Sequence, residues 1–148
     1  MTQAESPTIR KGDALPTLTR TITEEMVIAY EDLFERIGAR SDWKASFHAD
    51  REAASRTMYR DPIAQGVLTE ALFSVLITRW LPDPGGWIEG GALTTKFIAP
   101  VWYGDTLTYH AEVVDLEESS PRNTVRLNIW AENQDGKKVI VGEASALL

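Results

Sequence analysis

The apolar and polar positions divide the chain into a helical first half and a stranded second half. Thr17–Ile22 is rich in threonine and predicts a short strand. Thr23 then offers a capping hydroxyl, and Glu24 and Glu25 put acids in the first turn of a helix. Val27, Ile28, Tyr30, Leu33, Phe34 and Ile37 recur at helical spacing, and Gly38 is a natural stop. Ala39–Phe47 has no period and reads as a loop. Asp50–Met58 reads as a short helix with Asp50 as its cap, followed by the loop Tyr59–Ile63. From Ala64 to Leu81, apolar residues cover nearly every side of a helix, which predicts an element buried inside the protein. Pro82–Gly86 reads as the turn that ends it.

Beyond that turn the period changes from helical to two. Leu93, Phe97 and Val101 form one run, broken at Pro100 and Gly104. Leu107, Tyr109, Ala111 and Val113 alternate with Thr108, His110 and Glu112, as Val125, Leu127, Ile129 and Ala131 alternate with polar neighbours. Asn133-Gln134-Asp135-Gly136 is a hairpin signal leading to a last strand, Val139–Leu147. One buried helix followed by antiparallel strands predicts an α+β fold with the sheet wrapped around that helix. Residues 1–16 are expected as a flexible lead-in and residues 17–148 as one domain. An exposed sheet edge would be covered by a second copy, so a homodimer is expected.

Composition narrows the function. The net charge of −7 argues against nucleic acid and anionic membrane as partners, which need a basic surface. There is no cysteine, which excludes disulfides and thiol chemistry. With only His48 and His110, a histidine-rich metal centre is not expected. Residues 1–10 lack the apolar stretch of a signal peptide, and no run reaches the length of a membrane span, so a cytoplasmic protein is the expectation.

Four stretches then carry a resemblance. Lys96-Phe97, Ala99-Pro100-Val101 and Gly104-Asp105-Thr106-Leu107-Thr108 follow one another as a block. Pro62-Ile63-Ala64-Gln65-Gly66-Val67-Leu68 opens the apolar helix. Ser41-Asp42 and His48-Ala49-Asp50 with Ala53-Ala54 precede it. Taken together, over roughly residues 12–148, the chain resembles the MaoC-like (R)-specific enoyl-CoA hydratases and dehydratases, which have the hot-dog fold.

The resemblance implies a lyase that adds water to, or removes it from, an acyl thioester carried on coenzyme A or an acyl carrier. Asp42 and His48 would activate the water, and the N–H of Gly66 would hold the enolate oxygen, as a helix start is suited to do. Gln65 and Trp43 would contact substrate. No cofactor and no metal are implied. Compared with the family pattern, one extra residue separates Asp42 from His48, Trp43–Phe47 replaces an Asn-Pro, and Gln65 stands where a histidine is usual. These departures suggest a specialised substrate. They also leave two alternatives open: an acyl thioester hydrolase, and a non-catalytic subunit that binds an acyl chain or supports a partner. Asp50 reads as a helix cap, Asp105 as turn chemistry, and His110 as a solvated strand residue.

Overall fold

The computed structural model describes residues 8–38 and 46–148. Strand β1 (Leu18–Thr21) leads into helix α1 (Glu24–Arg36), whose cap Thr23 accepts from the N–H of Met26 at 3.3 Å. Helices α2 (Arg51–Ser55) and α3 (Gly66–Trp80) come next. The stretch expected as a turn contains helix α4 (Gly85–Gly90). Its three glycines hid the helix from a propensity reading, since glycine disfavours helix by about 1 kcal/mol. Strands β2 (Ala92–Phe97), β3 (Thr106–Glu117), β4 (Thr124–Glu132) and β5 (Lys138–Leu147) complete the chain.

The five strands form one antiparallel sheet in the order β1-β3-β4-β5-β2. The turn between β4 and β5 sits where expected. Gly136 has φ +72°, and the Asn133 side chain accepts from the N–H groups of Asp135 and Lys137 at 3.1 and 3.0 Å. The alternation in β3 and β4 works as predicted: Leu107, Tyr109, Ala111 and Val113, with Val125, Leu127, Ile129 and Ala131, are all buried. Against them lies α3, through Phe73, Leu76 and Ile77. The Phe73 and Tyr109 rings meet edge to face at 5.0 Å, and the Tyr109 hydroxyl donates to the Thr69 carbonyl at 2.9 Å. This is the hot-dog arrangement, a sheet wrapped around a central helix.

Two expectations change in detail. The folded unit begins before Pro16: Leu15 is buried, and its N–H donates to the Ala111 carbonyl at 2.9 Å. Gly12 and Asp13 pair with Val113 in the same way, at 2.8 and 2.9 Å. On α1 the buried residues are Val27 and Glu31, whereas Leu33 and Ile37 are exposed. A carboxylate therefore occupies the inward stripe of an amphipathic helix.

The apolar helix is buried or half-buried along most of its surface, but one stripe near its start stays open. Val67, near its start, is 57% exposed, and Ala71 one turn later is also exposed. Strand β2 forms one edge of the sheet, and Leu93, Thr95 and Phe97 share the face toward α3. Thr95 hydrogen-bonds to the Glu70 carboxylate, whereas Phe97 stays 50% exposed. Among the described residues no helix is long and apolar enough to cross a membrane.

Candidate active site

His48 is positioned from three sides. The segment from Ser46 turns back on itself, with the N–H groups of Ala49 and Asp50 donating to the Ser46 carbonyl at 3.0 and 2.8 Å. Asp50 then caps α2, its Oδ1 accepting from the N–H groups of Glu52 and Ala53 at 2.7 and 3.2 Å. The half-buried imidazole lies 2.8 Å, through Nδ1, from the Ile63 carbonyl. A carbonyl only accepts, so Nδ1 carries the proton and Nε2 keeps the lone pair. The Phe47 ring leans on the imidazole with centroids 4.1 Å apart, and the Tyr103 hydroxyl donates to the His48 carbonyl. Burial, and after it the charge of Glu24, pushes the Tyr103 phenol up to about 12, so it stays a donor at any ordinary pH.

Gly66 is the first residue of α3. Gln65, at the cap position, makes no side-chain cap hydrogen bond, which leaves the first-turn N–H groups without a side-chain partner among the described residues. The Phe97 ring lies against this helix start. A Cβ built on Gly66 would come within 2.8 Å of the ring's Cζ, so the glycine leaves room for the ring to lie here. His48 and Gly66 line the same open cleft of about 350 Å³, together with Phe47, Met58, Tyr59 and Phe97. The arrangement offers a proton-exchanging imidazole, a helix start with partial positive charge, and apolar walls.

The other expected site residues divide. Asp42 and Trp43 lie outside the described residues. Gln65 is brought next to the site but is not among the residues lining the cleft. Its Nε2 points inward and donates to Glu31 Oε1 at 2.7 Å and to the Val27 carbonyl at 3.3 Å. Asp105 serves the turn, with Oδ2 accepting from the Trp102 N–H at 2.8 Å and Oδ1 from Gln134 Nε2 at 2.9 Å. His110, expected as a solvated strand residue, is instead half-buried, stacked on Trp130 with centroids 5.0 Å apart and planes 5° from parallel.

Sequence reasoning missed Glu31 and Tyr103. Glu31 did carry a signal, a charge four residues after the buried Val27 on the same helix face. Tyr103 carried none, because its partner is a backbone carbonyl 55 residues away in the chain.

Similarity to known proteins identifies the family. The model of the MaoC like domain matches residues 11–133. An (R)-specific enoyl-CoA hydratase of Aeromonas caviae is 36% identical over 97 residues, covering 66% of this chain and 69% of the relative. One from Rhodospirillum rubrum is 30% identical over 140 residues, covering 95% of this chain and 88% of the relative. The solved (R)-hydratase of A. caviae superposes with a TM-score of 0.75 at 26% identity, over 97% of this chain and 99% of that one. With the family model matched across most of its length and an (R)-hydratase similar to it almost from end to end, this chain belongs to the MaoC-like domain family.

Proposed function

We propose that this protein catalyses the reversible hydration of 2-enoyl thioesters to 3-hydroxyacyl thioesters. The observation that carries this reading is the shared cleft, in which His48 and the α3 start at Gly66 line one apolar surface. The names of the relatives, (R)-specific enoyl-CoA hydratases, point the same way.

In the hydration direction, water adds through oxygen to the β-carbon. The electron pair of the double bond moves toward the thioester oxygen, and as the enolate collapses the α-carbon takes back from His48 the proton removed from the water. His48 Nε2 holds the lone pair that removes the water proton, and the fixed Nδ1–H keeps that lone pair available. Asp42 orients the water with it. The enolate oxygen accepts from the Gly66 N–H, where the helix start stabilises the charge that develops. Trp43 contacts the acyl group, and the thioester is carried on coenzyme A or an acyl carrier.

The working form is a homodimer. Support comes from the open edge of β2 and from Val67, Phe97 and Ile98, which are apolar and exposed at the same end of the molecule.

The test is an ultraviolet assay following loss of conjugated enoyl absorbance from crotonyl-CoA. Wild type is expected to hydrate it, while His48→Ala and Asp42→Asn each lose at least about 100-fold, in the range of a lost general base. Release of free thiol without loss of the double bond by addition would replace this reading with thioester hydrolysis. No reaction with short or long enoyl thioesters would overturn it.

A further inference from the structure

We propose that Glu31 is a positioning residue, whose buried carboxyl holds His48 and the start of α3 in register across the cleft. The inference rests on the hydratase reading of that cleft and assigns a role to a group the reaction itself does not use.

Glu31 is 1% exposed, and its partners Gln65 and Ser46 are also buried. A carboxyl taken out of water is unfavourable unless hydrogen bonds replace its hydration, so such a group is informative about what it joins. Glu31 Oε1 accepts from Gln65 Nε2 at 2.7 Å and from Ser46 Oγ at 3.4 Å. It thereby ties α1 to two separate segments, each one step from a functional group. Ser46 Oγ accepts from the His48 N–H at 3.2 Å, and Gln65 directly precedes Gly66.

The same two segments meet a second time, where His48 Nδ1 faces the Ile63 carbonyl at 2.8 Å. The His48 side and the Ile63–Gly66 side are thus clamped twice, once through the imidazole and once through Glu31. Without the Glu31 clamp, the hydrogen bond from Nδ1 to the Ile63 carbonyl is the remaining direct tie, among the described residues, between the His48 side and the Ile63–Gly66 side.

The glutamine in place of the family's usual histidine fits this role. Its amide donates to Glu31 and to the Val27 carbonyl with one nitrogen, and so spans the gap between α1 and α3. Its Oε1 is buried with no hydrogen-bond partner among the described residues, so the amide is held by its donors alone. Such a one-sided anchor depends on the acceptor that Glu31 provides.

The experiment uses Glu31→Gln, Glu31→Met and the exchanged pair Glu31→Gln with Gln65→Glu. Two readouts are taken: steady-state kinetics on crotonyl-CoA, and long-range proton–nitrogen spectra of the imidazoles. With two histidines in the chain, the His110→Gln variant assigns the signals. Wild type is expected to show His48 as a single Nδ1–H tautomer. Glu31→Met should mix the tautomers and lower kcat by about 10- to 100-fold, the scale of a sub-ångström to 1 Å misplacement, with KM within about twofold. Glu31→Gln keeps an acceptor and should fall between. The exchanged pair, which restores the contact between residues 31 and 65 but leaves the Val27 carbonyl without its donor, should recover part of the loss.

The inference is overturned if the folded single variants keep both the wild-type tautomer and wild-type kcat. It is equally overturned if kcat falls only in step with melting temperature while the His48 spectrum stays unchanged. Should Glu31→Met fail to fold, Glu31→Gln and the exchanged pair decide on the same readouts. If wild type turns over no enoyl thioester, the hydratase reading fails, and the His48 spectra alone then confirm or reject the clamp.

Discussion

At Gly66 one missing side chain serves two purposes, and they can be separated. The glycine exposes a backbone N–H at a helix start, and it also leaves room for the Phe97 ring. An added methyl at residue 66 would meet the far end of a half-exposed side chain, which can swing aside. Gly66→Ala is therefore expected to fold with a melting temperature within a few degrees of wild type. The displaced ring, however, moves within the cleft, and turnover should drop by about tenfold through misplaced substrate. Phe97→Leu in the same chain removes the clash and should return part of the activity. Kinetics on the two single variants and the pair give the coupling directly, and strictly additive losses would show that the ring has no part in it.

Elements differ in how openly the sequence announced them. Strands β3 and β4 were legible because burial on one face writes itself as a period of two, and the Asp-Gly turn fixed where the next strand begins. The cap of α2 was legible for a local reason, since an N-cap needs only its own neighbours. Asp50→Ala is expected to lower stability by about 1 kcal/mol, seen as a fall of roughly 2–4 °C in melting temperature for a chain this size. Helix α4 was not legible, because its glycines outvoted a helix that tertiary contacts sustain: Trp87 packs on the core and Arg122 pairs with Glu89 at 3.3 Å. The inner stripe of α1 was misread for a related reason. Leu33 and Ile37 are apolar and Glu31 is charged, yet Glu31 is inside because Gln65 and Ser46, distant in sequence, meet it there. Of the candidate site, His48 and Gly66, singled out by motif, line one cleft, whereas Glu31 and Tyr103 act through hydrogen bonds to residues distant in sequence and could not be picked out locally.

For the molecule as a whole, the sheet has two edges of different character. The β1 edge carries threonines and Arg20, and it is short. The β2 edge ends in Phe97 and Ile98, both exposed, beside the exposed Val67 of α3. The homodimer is expected to use the second edge. Light scattering after gel filtration should give twice the 16.5 kDa chain mass for wild type. Placing charges there, as in Val67→Glu with Ile98→Glu, should shift the mass to that of one chain. A monomeric wild type at micromolar concentration would remove this part of the reading.

The sheet order has a further consequence, in time rather than in space. Strands β3, β4 and β5 pair with near neighbours in the chain, whereas Leu18 of β1 must find Tyr109 across some ninety residues. Closing so long a loop is entropically unfavourable and slow relative to a hairpin. During refolding the meander should therefore protect its amides from hydrogen exchange before β1 does. The cleft is lined by residues from Phe47 to Val101, among them Phe97 of the edge strand β2. That strand pairs with β5 across some forty to fifty residues and so also forms after the meander. Enzyme activity would return with the slow phase of refolding, after most of the sheet is already formed.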